Sequence, residues 1–498
     1  MKTKETKIRK VRVRIAPSPT GALHVGTARA ALFNYLFAKK NKGSFVLRIE
    51  DTDLERSDLK WTQEIIEELK WLGIIWDEGP DIDGKYGPYK QSQRLDIYEK
   101  YLKQLLDENK AYYCFCSEDE LEAMRQEQMS RGVAPHYNGK CVNLSEAETA
   151  KLLEKKKPSV IRFKILNKKI KFTDLIRGEV EFDAGLMGDI IIAKDLKIPL
   201  YNFAVVVDDY EMQISHVIRG EDHISNTPKQ ILMQEALGFD QPIYAHLPLI
   251  LAPDRTKLSK RHGAVSIAEY REQGYLPEAL VNFMVLLGWN PGTEKEVFTL
   301  SQLVKEFSIE KVQKAGAVFN IQRLDFINGF YIREKAIEKL TKLCKPYLKK
   351  AGLLVEGQVS DSKLEKIVEV SKTRMKKLSD IVELSDLFFK DKLSYNKDLL
   401  QWQKVGDSAT KDSLLFSEKI LSEIKEWEIK NLEHELFLAS EKFNLEKGYP
   451  EKNKGYLLWP LRVALSGKQA SASPFEIADI LGKEKTLKRI SEAIKLLA

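Results

Sequence analysis

Residues 11–16, VRVRIA, alternate basic and apolar positions with the two-residue period of a strand, and PSPTG (17–21) is turn text. From 28 to 40, ARAALFNYLFAKK, the apolar residues Ala30, Leu32, Phe33, Leu36 and Phe37 recur near one face of a helix. SFVLRI (44–49) predicts a second strand, EDTD breaks it, and WTQEIIEELKWLG (61–73) predicts a helix closed by Gly73. This alternation is the opening of an α/β domain built on an open parallel sheet. Between about 90 and 200 the pattern changes to a Cys- and Tyr-containing segment, a Lys-rich helical stretch and strand text such as VIRFKI (160–165), which predicts an inserted α+β domain. YNFAVVVDDYEMQISHVIRGEDH (201–223) reads as a return to strand, with AVVVD apolar enough to be buried on both faces, as a central parallel strand is. Beyond about 330 the text is helical with little strand signal, and Lys342, Lys345, Lys349 and Lys350 typify its basic faces. DKLSYNKDLLQWQKVGDSATKDS (391–413) reads as a loop between two helical units.

The chain has 498 residues, room for roughly three to five domains of about 100–200 residues each. Its net charge of +7 leans mildly towards polyanionic partners. Four cysteines, Cys114, Cys116, Cys141 and Cys344, are too few for a disulfide-dense secreted scaffold and point to a reducing compartment. The basic start MKTKETKIRK runs into VRVRIAPSP with no apolar stretch of signal-peptide type, and nowhere do about 18 apolar residues run together, so a soluble cytoplasmic protein with no membrane partner is expected.

Two segments carry candidate chemistry. HVGTARA places a helix start behind a small-residue turn, where unpaired amides and the positive end of the helix dipole collect. His24 is a candidate phosphate donor there, and Gly26 removes a Cβ that would hold a ligand off the backbone. KLSKRHG (257–263) brings Lys257 and Lys260 to either side of Ser259, flexible point charges suited to polyphosphate. Taken singly, the first is as well an ordinary βα turn and the second a solvated basic loop. Together they supply two halves of a triphosphate clamp from opposite ends of one α/β domain.

With these residues in hand the chain resembles the class I aminoacyl-tRNA synthetases, HVGT matching the first signature and KLSKR the second, with Thr27 where the class archetype has a second His and Arg261 where it ends in Ser. Within the class, APSPTG (16–21), LFNYLFAK (32–39), LRIEDTD (47–53), VIRGEDHISNTPKQ (217–230) and LPEALVNFMVLLGW (276–289) are similar to the bacterial glutamate group, and GYLLWPLRVALSG (455–467) carries the likeness towards the C-terminus. The resemblance implies a Rossmann-type catalytic domain in two halves, 1–90 and 201–250, around an inserted acceptor-binding domain, 91–200. It further implies a KLSKR loop with a stem-contact helical domain, 251–335, and an all-α anticodon-binding region in two parts, 336–390 and 391–498.

The same resemblance implies glutamate binding by Arg14, Ser18, Glu50, Tyr201 and Arg219, and ATP binding by His24, Gly26, Lys257, Ser259 and Lys260, with His24, Lys257 and Lys260 as the catalytic set. The chemistry agrees: arginines can fork onto the two carboxylates of glutamate while Glu50 faces its ammonium. Cys114, Cys116 and Cys141 fall where many members of the family hold zinc, and three thiolates begin a tetrahedral site. The family's His after the last Cys is Asn143 here, which leaves Tyr137 or, second, His136 to complete it, or leaves three free thiols. KTRMKK (372–377), four cations in six residues, reads as a helix face, and within an anticodon region Arg374 is the candidate for base reading, with Trp459 and Arg462 behind it.

The expected activity is ATP-dependent activation of L-glutamate with Mg2+ and its transfer to tRNA(Glu), with tRNA(Gln) left open as a second acceptor, by an enzyme whose family default is the monomer. The rivals are a catalytically inactive tRNA-binding or regulatory paralogue, the glutamine-specific relative, a truncated relative that modifies a tRNA base, and a small-molecule adenylyltransferase. Intact signatures weigh against the first, APSPTG and the two arginines against the second, and the helical residues 336–498 against the last two.

Overall fold

Strand Arg12–Ile15 runs parallel to strand Ser44–Leu47, in register from Arg12↔Ser44 to Ile15↔Leu47, and helix Val25–Lys40 crosses between them. This is a computed structural model, and it describes residues 10–53, 55–355 and 357–497. The crossover helix is buried nearly all round: Leu32, Phe33 and Leu36 lie in the core with Arg29 and Asn34 between them, while Phe37 is only part-buried. Arg29 and Asn34 tolerate this because their nitrogens donate to backbone carbonyls, Arg29 Nη1 to Leu287 at 2.8 Å and Asn34 Nδ2 to Ile218 at 2.9 Å.

Ser215 N donates to the Arg12 carbonyl at 2.9 Å, which brings strand His216–Gly220 alongside the first strand. That strand pairs in parallel with Ile243–Leu247 over its whole length, and Ile243–Leu247 meets Lys169–Asp174 at Tyr244↔Asp174. Lys169–Asp174 forms an antiparallel hairpin with Gly178–Asp183, so a hairpin from the inserted segment lengthens the sheet. The rest of the insertion has an antiparallel sheet of its own, in the order Ala111–Cys114, Val160–Phe163, Ile190–Asp195, Ile198–Pro199.

Against the strand that its text predicts, Tyr201–Glu211 is a helix, and the sheet resumes only at His216. Phe203 through Val207 are all buried, and an apolar run buried on every side has no period by which to tell strand from helix. The helix also turns Asp208 and Asp209 inward to buried arginines.

Contacts divide the chain into two compact units, one of residues up to Glu272 with Pro277–Leu324, the other of Gln273–Leu276 with the residues from Asp325 onwards. The second unit is helical, with a core that includes Leu414, Leu436, Leu461, Ile477 and Ile490. Two expectations change within it. Helix Asp361–Lys372 ends where KTRMKK begins: Thr373 caps it, Arg374 N donates back to the Ser371 carbonyl, Met375 is buried, and the amides of Lys376 and Lys377 donate to Asp380. Lys372 therefore ends the helix and the other three cations lie on the turn after it, not along one helical face. The 391–413 stretch holds a short 3-10 segment, Lys397–Leu400, and helix Asp407–Glu423 has already begun before it ends. In GYLLWPLRVALSG a Cβ at Gly455 would come within 2.4 Å of the Trp402 ring, which itself packs on Trp459 at 5.0 Å between centroids, so this motif builds core. Among the described residues no helix is long and apolar enough to cross a membrane.

Candidate functional site

The strands Arg12–Ile15, Ser44–Leu47 and His216–Gly220 end at one cavity of about 1250 Å3. Clefts beyond the carboxyl ends of parallel strands are where open α/β sheets hold ligands, because the loops that leave the strands diverge there. Arg14, Ser18, His24, Gly26, Glu50, Tyr201, Arg219 and Lys257 all line it. Lys194 and Lys197, from the inserted segment, line it as well.

His24 is the N-cap of helix Val25–Lys40: its backbone is extended and its Nδ1 accepts from Gly26 N at 3.0 Å. Nδ1 is thus the acceptor and Nε2 the nitrogen that carries the proton, which suits a donor to phosphate. A Cβ at Gly26 would stand 3.4 Å from that Nδ1, so the glycine leaves the ring its place. Val25 N is already taken by the Val265 carbonyl at 2.9 Å, so two of the amides that make a helix start an anion site are engaged within the protein.

Lys257 extends from the loop after strand Ile250–Leu251, largely exposed, with Nζ 3.0 Å from Asp222 Oδ2. Ser259 does not line the cavity; its Oγ lies 3.1 Å from His262 Nδ1. The backbone of Lys260 opens a 3-10 turn, Lys260–His262, and its side chain lies outside the described residues.

The floor of the cavity is a buried charge network. Arg14 donates to both carboxylate oxygens of Asp209, at 3.1 and 3.3 Å. Arg48, fully buried, donates to Asp209 at 2.8 Å and to Glu50 at 3.0 Å, with Asp208 at 3.6 Å. Burial works against charge on Asp209, but Arg14 and Arg48 outweigh it and hold its carboxyl below the usual carboxylate range. Glu50 goes the other way: burial holds it above that range against the pull of Arg48 and Arg14, so an arriving cation would favour its ionised form.

Arg219 differs from these arginines. It is 6% exposed, its Nε donates to His246 Nε2 at 3.2 Å and its Nη2 to Thr227 Oγ1 at 2.8 Å, and its buried Nη1 has no hydrogen-bond partner. Tyr201 OH lies 3.1 Å from His223 Nδ1. Burial, with Arg219 beside it, pushes His223 down to about 4, so this imidazole is neutral near pH 7. Asp208, Asp209, Arg48 and His246 were not singled out from sequence, and His223, in the GEDH stretch beside Arg219, carries no role there; an Asp-Asp pair inside an apolar run was the available signal for the first two.

In the inserted segment the sulfurs of Cys114, Cys116 and Cys141 lie within 4.8 Å of one another, Cys116 and Cys141 at 3.6 Å. Tyr137 OH is 3.4 Å from Cys114 Sγ and 3.6 Å from Cys116 Sγ, and Arg162 lies 3.9 Å over the Tyr137 ring. Sulfurs at a tetrahedral zinc, with bonds of about 2.3 Å, stand roughly 3.8 Å apart, so this cluster fits the ion. Burial resists charge on Cys114, yet the Tyr137 hydroxyl and Arg162 hold its thiol below the usual range, while burial and the neighbouring sulfurs push Cys116 up to about 11. His136 turns its Nδ1 towards the Ala134 carbonyl at 3.0 Å and is not part of the cluster. In the second unit Arg374 is half-buried and donates from Nη2 to the Val370 carbonyl at 2.8 Å.

Comparison with known proteins agrees in kind. Residues 10–326 match the family described as tRNA synthetases class I (E and Q), catalytic domain, and residues 339–494 match the anticodon binding domain family. The glutamate–tRNA ligase 1 of Caldicellulosiruptor saccharolyticus is 47% identical over 489 residues, 96% of this chain and 98% of its own. The glutamate–tRNA ligase of Carboxydothermus hydrogenoformans is 46% identical over 483 residues, 96% of this chain and 99% of its own. Among solved structures, a glutamate tRNA ligase of Elizabethkingia meningosepticum, in complex with its amino acid, superposes with a TM-score of 0.87 at 35% identity, over 98% of this chain and 100% of that one.

Proposed function

Since this chain belongs to the class I glutamate–tRNA ligases, enzymes that join glutamate to tRNA with ATP and Mg2+, we propose that the cavity below His24 and Lys257 binds glutamate and ATP side by side. The observation that carries this reading is Arg219: a buried guanidinium on the cavity wall, held on two nitrogens and unpartnered on the third, is an unsatisfied cation awaiting an anion. Arg219 takes one carboxylate of glutamate and Glu50 faces its ammonium, with Arg14, Ser18 and Tyr201 completing the glutamate site as the resemblance implies. In a first step the α-carboxylate attacks the α-phosphorus of ATP, pyrophosphate leaves, and glutamyl-adenylate remains. The terminal adenosine of the tRNA then takes the glutamyl group and AMP leaves. No covalent nucleophile is needed, so position and charge supply most of the rate. His24 donates from Nε2 to the phosphate chain at the Gly26 helix start, and Lys257 and Lys260, on either side of Ser259, meet the charge that builds on pyrophosphate. Arg219→Leu raises KM for glutamate; an unchanged KM overturns the assignment.

The fit of the sulfur cluster supports one structural zinc on Cys114, Cys116, Cys141 and Tyr137, which would tie the loop around residue 141 to strand Ala111–Cys114. The expected division of labour runs as the resemblance implies. Residues 1–90 and 201–250 carry the chemistry, 91–200 receives the acceptor end, and 251–335 carries the lysine loop and the stem contact. Residues 336–390 and 391–498 hold the anticodon, with Arg374 reading a base. The tRNA is tRNA(Glu); charging assays with purified tRNA(Glu) and tRNA(Gln) decide whether the second is also a substrate. A monomer working in the cytoplasm completes the reading.

A further inference from the structure

Of the buried arginines around the cavity, Arg14 and Arg48 are each neutralised by a carboxylate, whereas Arg219 and Arg29 have none within ion-pair distance among the described residues; Arg29 is held by the carbonyls of Leu287 and Pro248, Arg219 by side chains alone. The Arg219 nitrogens are held by two neutral acceptors that meet each other: His246 Nε2 and Thr227 Oγ1 lie 3.0 Å apart. His246 is fully buried and does not line the cavity. Its Nδ1 lies 2.7 Å from Asp174 Oδ2, and the same carboxylate accepts the amides of His246 at 3.0 Å, Ile176 at 2.9 Å and Arg177 at 2.8 Å. A carboxylate so placed accepts the Nδ1–H hydrogen bond, keeps the proton on Nδ1 and leaves Nε2 as a lone-pair acceptor, the only state in which it can receive the Arg219 Nε–H. Were an aspartate in the place of His246, Arg219 would be paired as Arg14 is, and its charge would be spent inside the protein.

We propose that His246, its tautomer set by Asp174, is a positioning residue for substrate selection. It fixes Arg219 by Nε without neutralising it, so that the full positive charge faces the substrate and favours a carboxylate over an amide of the same shape. The inference rests on Arg219 being the residue that receives glutamate. Asp174 comes from the inserted segment, so that segment takes part in choosing the amino acid through two hydrogen bonds.

The test uses the full-length enzyme in tRNA charging, with KM for glutamate, KM for ATP and kcat read separately. His246→Leu raises KM for glutamate roughly ten- to hundredfold, the range of a lost hydrogen bond to a charged group, with KM for ATP unmoved. His246→Gln, whose amide oxygen can still accept from Nε, recovers much of the loss, and His246→Glu, which pairs Arg219 with a carboxylate, does not. Thr227→Val removes the second neutral acceptor and gives the same KM-specific loss, which keeps the inference testable should His246→Leu fold poorly. A glutamate KM unchanged in both His246→Leu and Thr227→Val overturns the positioning role, as does a loss spread equally over kcat and both KM values. Arg219→Leu in parallel separates the two ideas: if it too leaves KM for glutamate unchanged, the assignment of Arg219 itself has failed.

Discussion

Lys257 Nζ stands 3.0 Å from Asp222 Oδ2, with both side chains well exposed. An exposed pair of this kind contributes about 1 kcal/mol or less, so the lysine can leave it for a polyphosphate at little cost. Asp222→Asn accordingly shifts the thermal unfolding midpoint very little. Lys257→Ala and Lys260→Ala lower kcat by about two orders of magnitude with a smaller effect on KM for ATP, because the charge they meet develops on the leaving pyrophosphate. A kcat equal to wild type in Lys260→Ala counts against the assignment.

Removal of Asp209 behaves differently. It leaves Arg14 and Arg48 buried with a lost partner, and Asp209→Ala costs roughly 3–5 kcal/mol in denaturant unfolding, as breaking one side of a buried charge pair does. A loss below about 1 kcal/mol, the level of a surface pair, shows the network to be dispensable.

The buried histidines set the acid side of the stability profile. His223 is held down to about 4 from an ordinary 6.5, and His246 is also lowered, chiefly by burial, so below 6.5 the unfolded chain binds protons that the folded one refuses. The sign follows: stability falls as pH drops below about 6.5, and the His223 part of the loss is complete near pH 4. Asp209 and Asp174, both lowered, add their loss only below the ordinary carboxylate value of 3.8. Melting curves from pH 7 to pH 5 show the fall, and His223→Gln flattens it. A wild-type midpoint flat over that interval refutes this account.

Metal analysis of purified protein finds one zinc per chain, and chelation lowers the melting temperature, since ion binding is coupled to the fold. The hydroxyl at 3.4 and 3.6 Å from two sulfurs makes Tyr137→Phe release zinc more readily to a competing chelator, while His136→Ala retains it like wild type. Protein free of zinc after purification without chelator disposes of the site.

Arg374→Ala raises KM for tRNA roughly tenfold, the scale of one charge-assisted contact, and leaves KM for glutamate and ATP alone. Its bond to the Val370 carbonyl offers the competing outcome: if the residue only staples its turn, the melting temperature drops and KM for tRNA stays.

The local text was most legible where period and chemistry agreed. VRVRIA, SFVLRI and ARAALFNYLFAKK became the strands and crossover helix they predict, within a few residues at each end. AVVVD misled because burial on all sides erases the period, and the pair of aspartates that ends it made sense only once Arg14 and Arg48 were seen opposite. KTRMKK misled in another way: charge density says nothing of backbone state, and the segment turns with Met375 buried in its middle and Asp380 accepting the amides of Lys376 and Lys377. His246 was invisible because its partners Asp174, Arg219 and Thr227 lie 72, 27 and 19 positions away, and only the fold collects them.

Strand pairing sets a limit on how the protein can be trimmed. Lys169–Asp174 joins Ile243–Leu247 through its last residue, at Tyr244↔Asp174, with Gly178–Asp183 beyond it, so residues 91–200 are not a cassette that can be lifted out at its two ends. A minimal catalytic fragment made that way would bare the edge of a buried strand, an open template for strand addition and aggregation. A shortened enzyme that stays soluble should therefore keep the 169–183 hairpin and cut on either side of it.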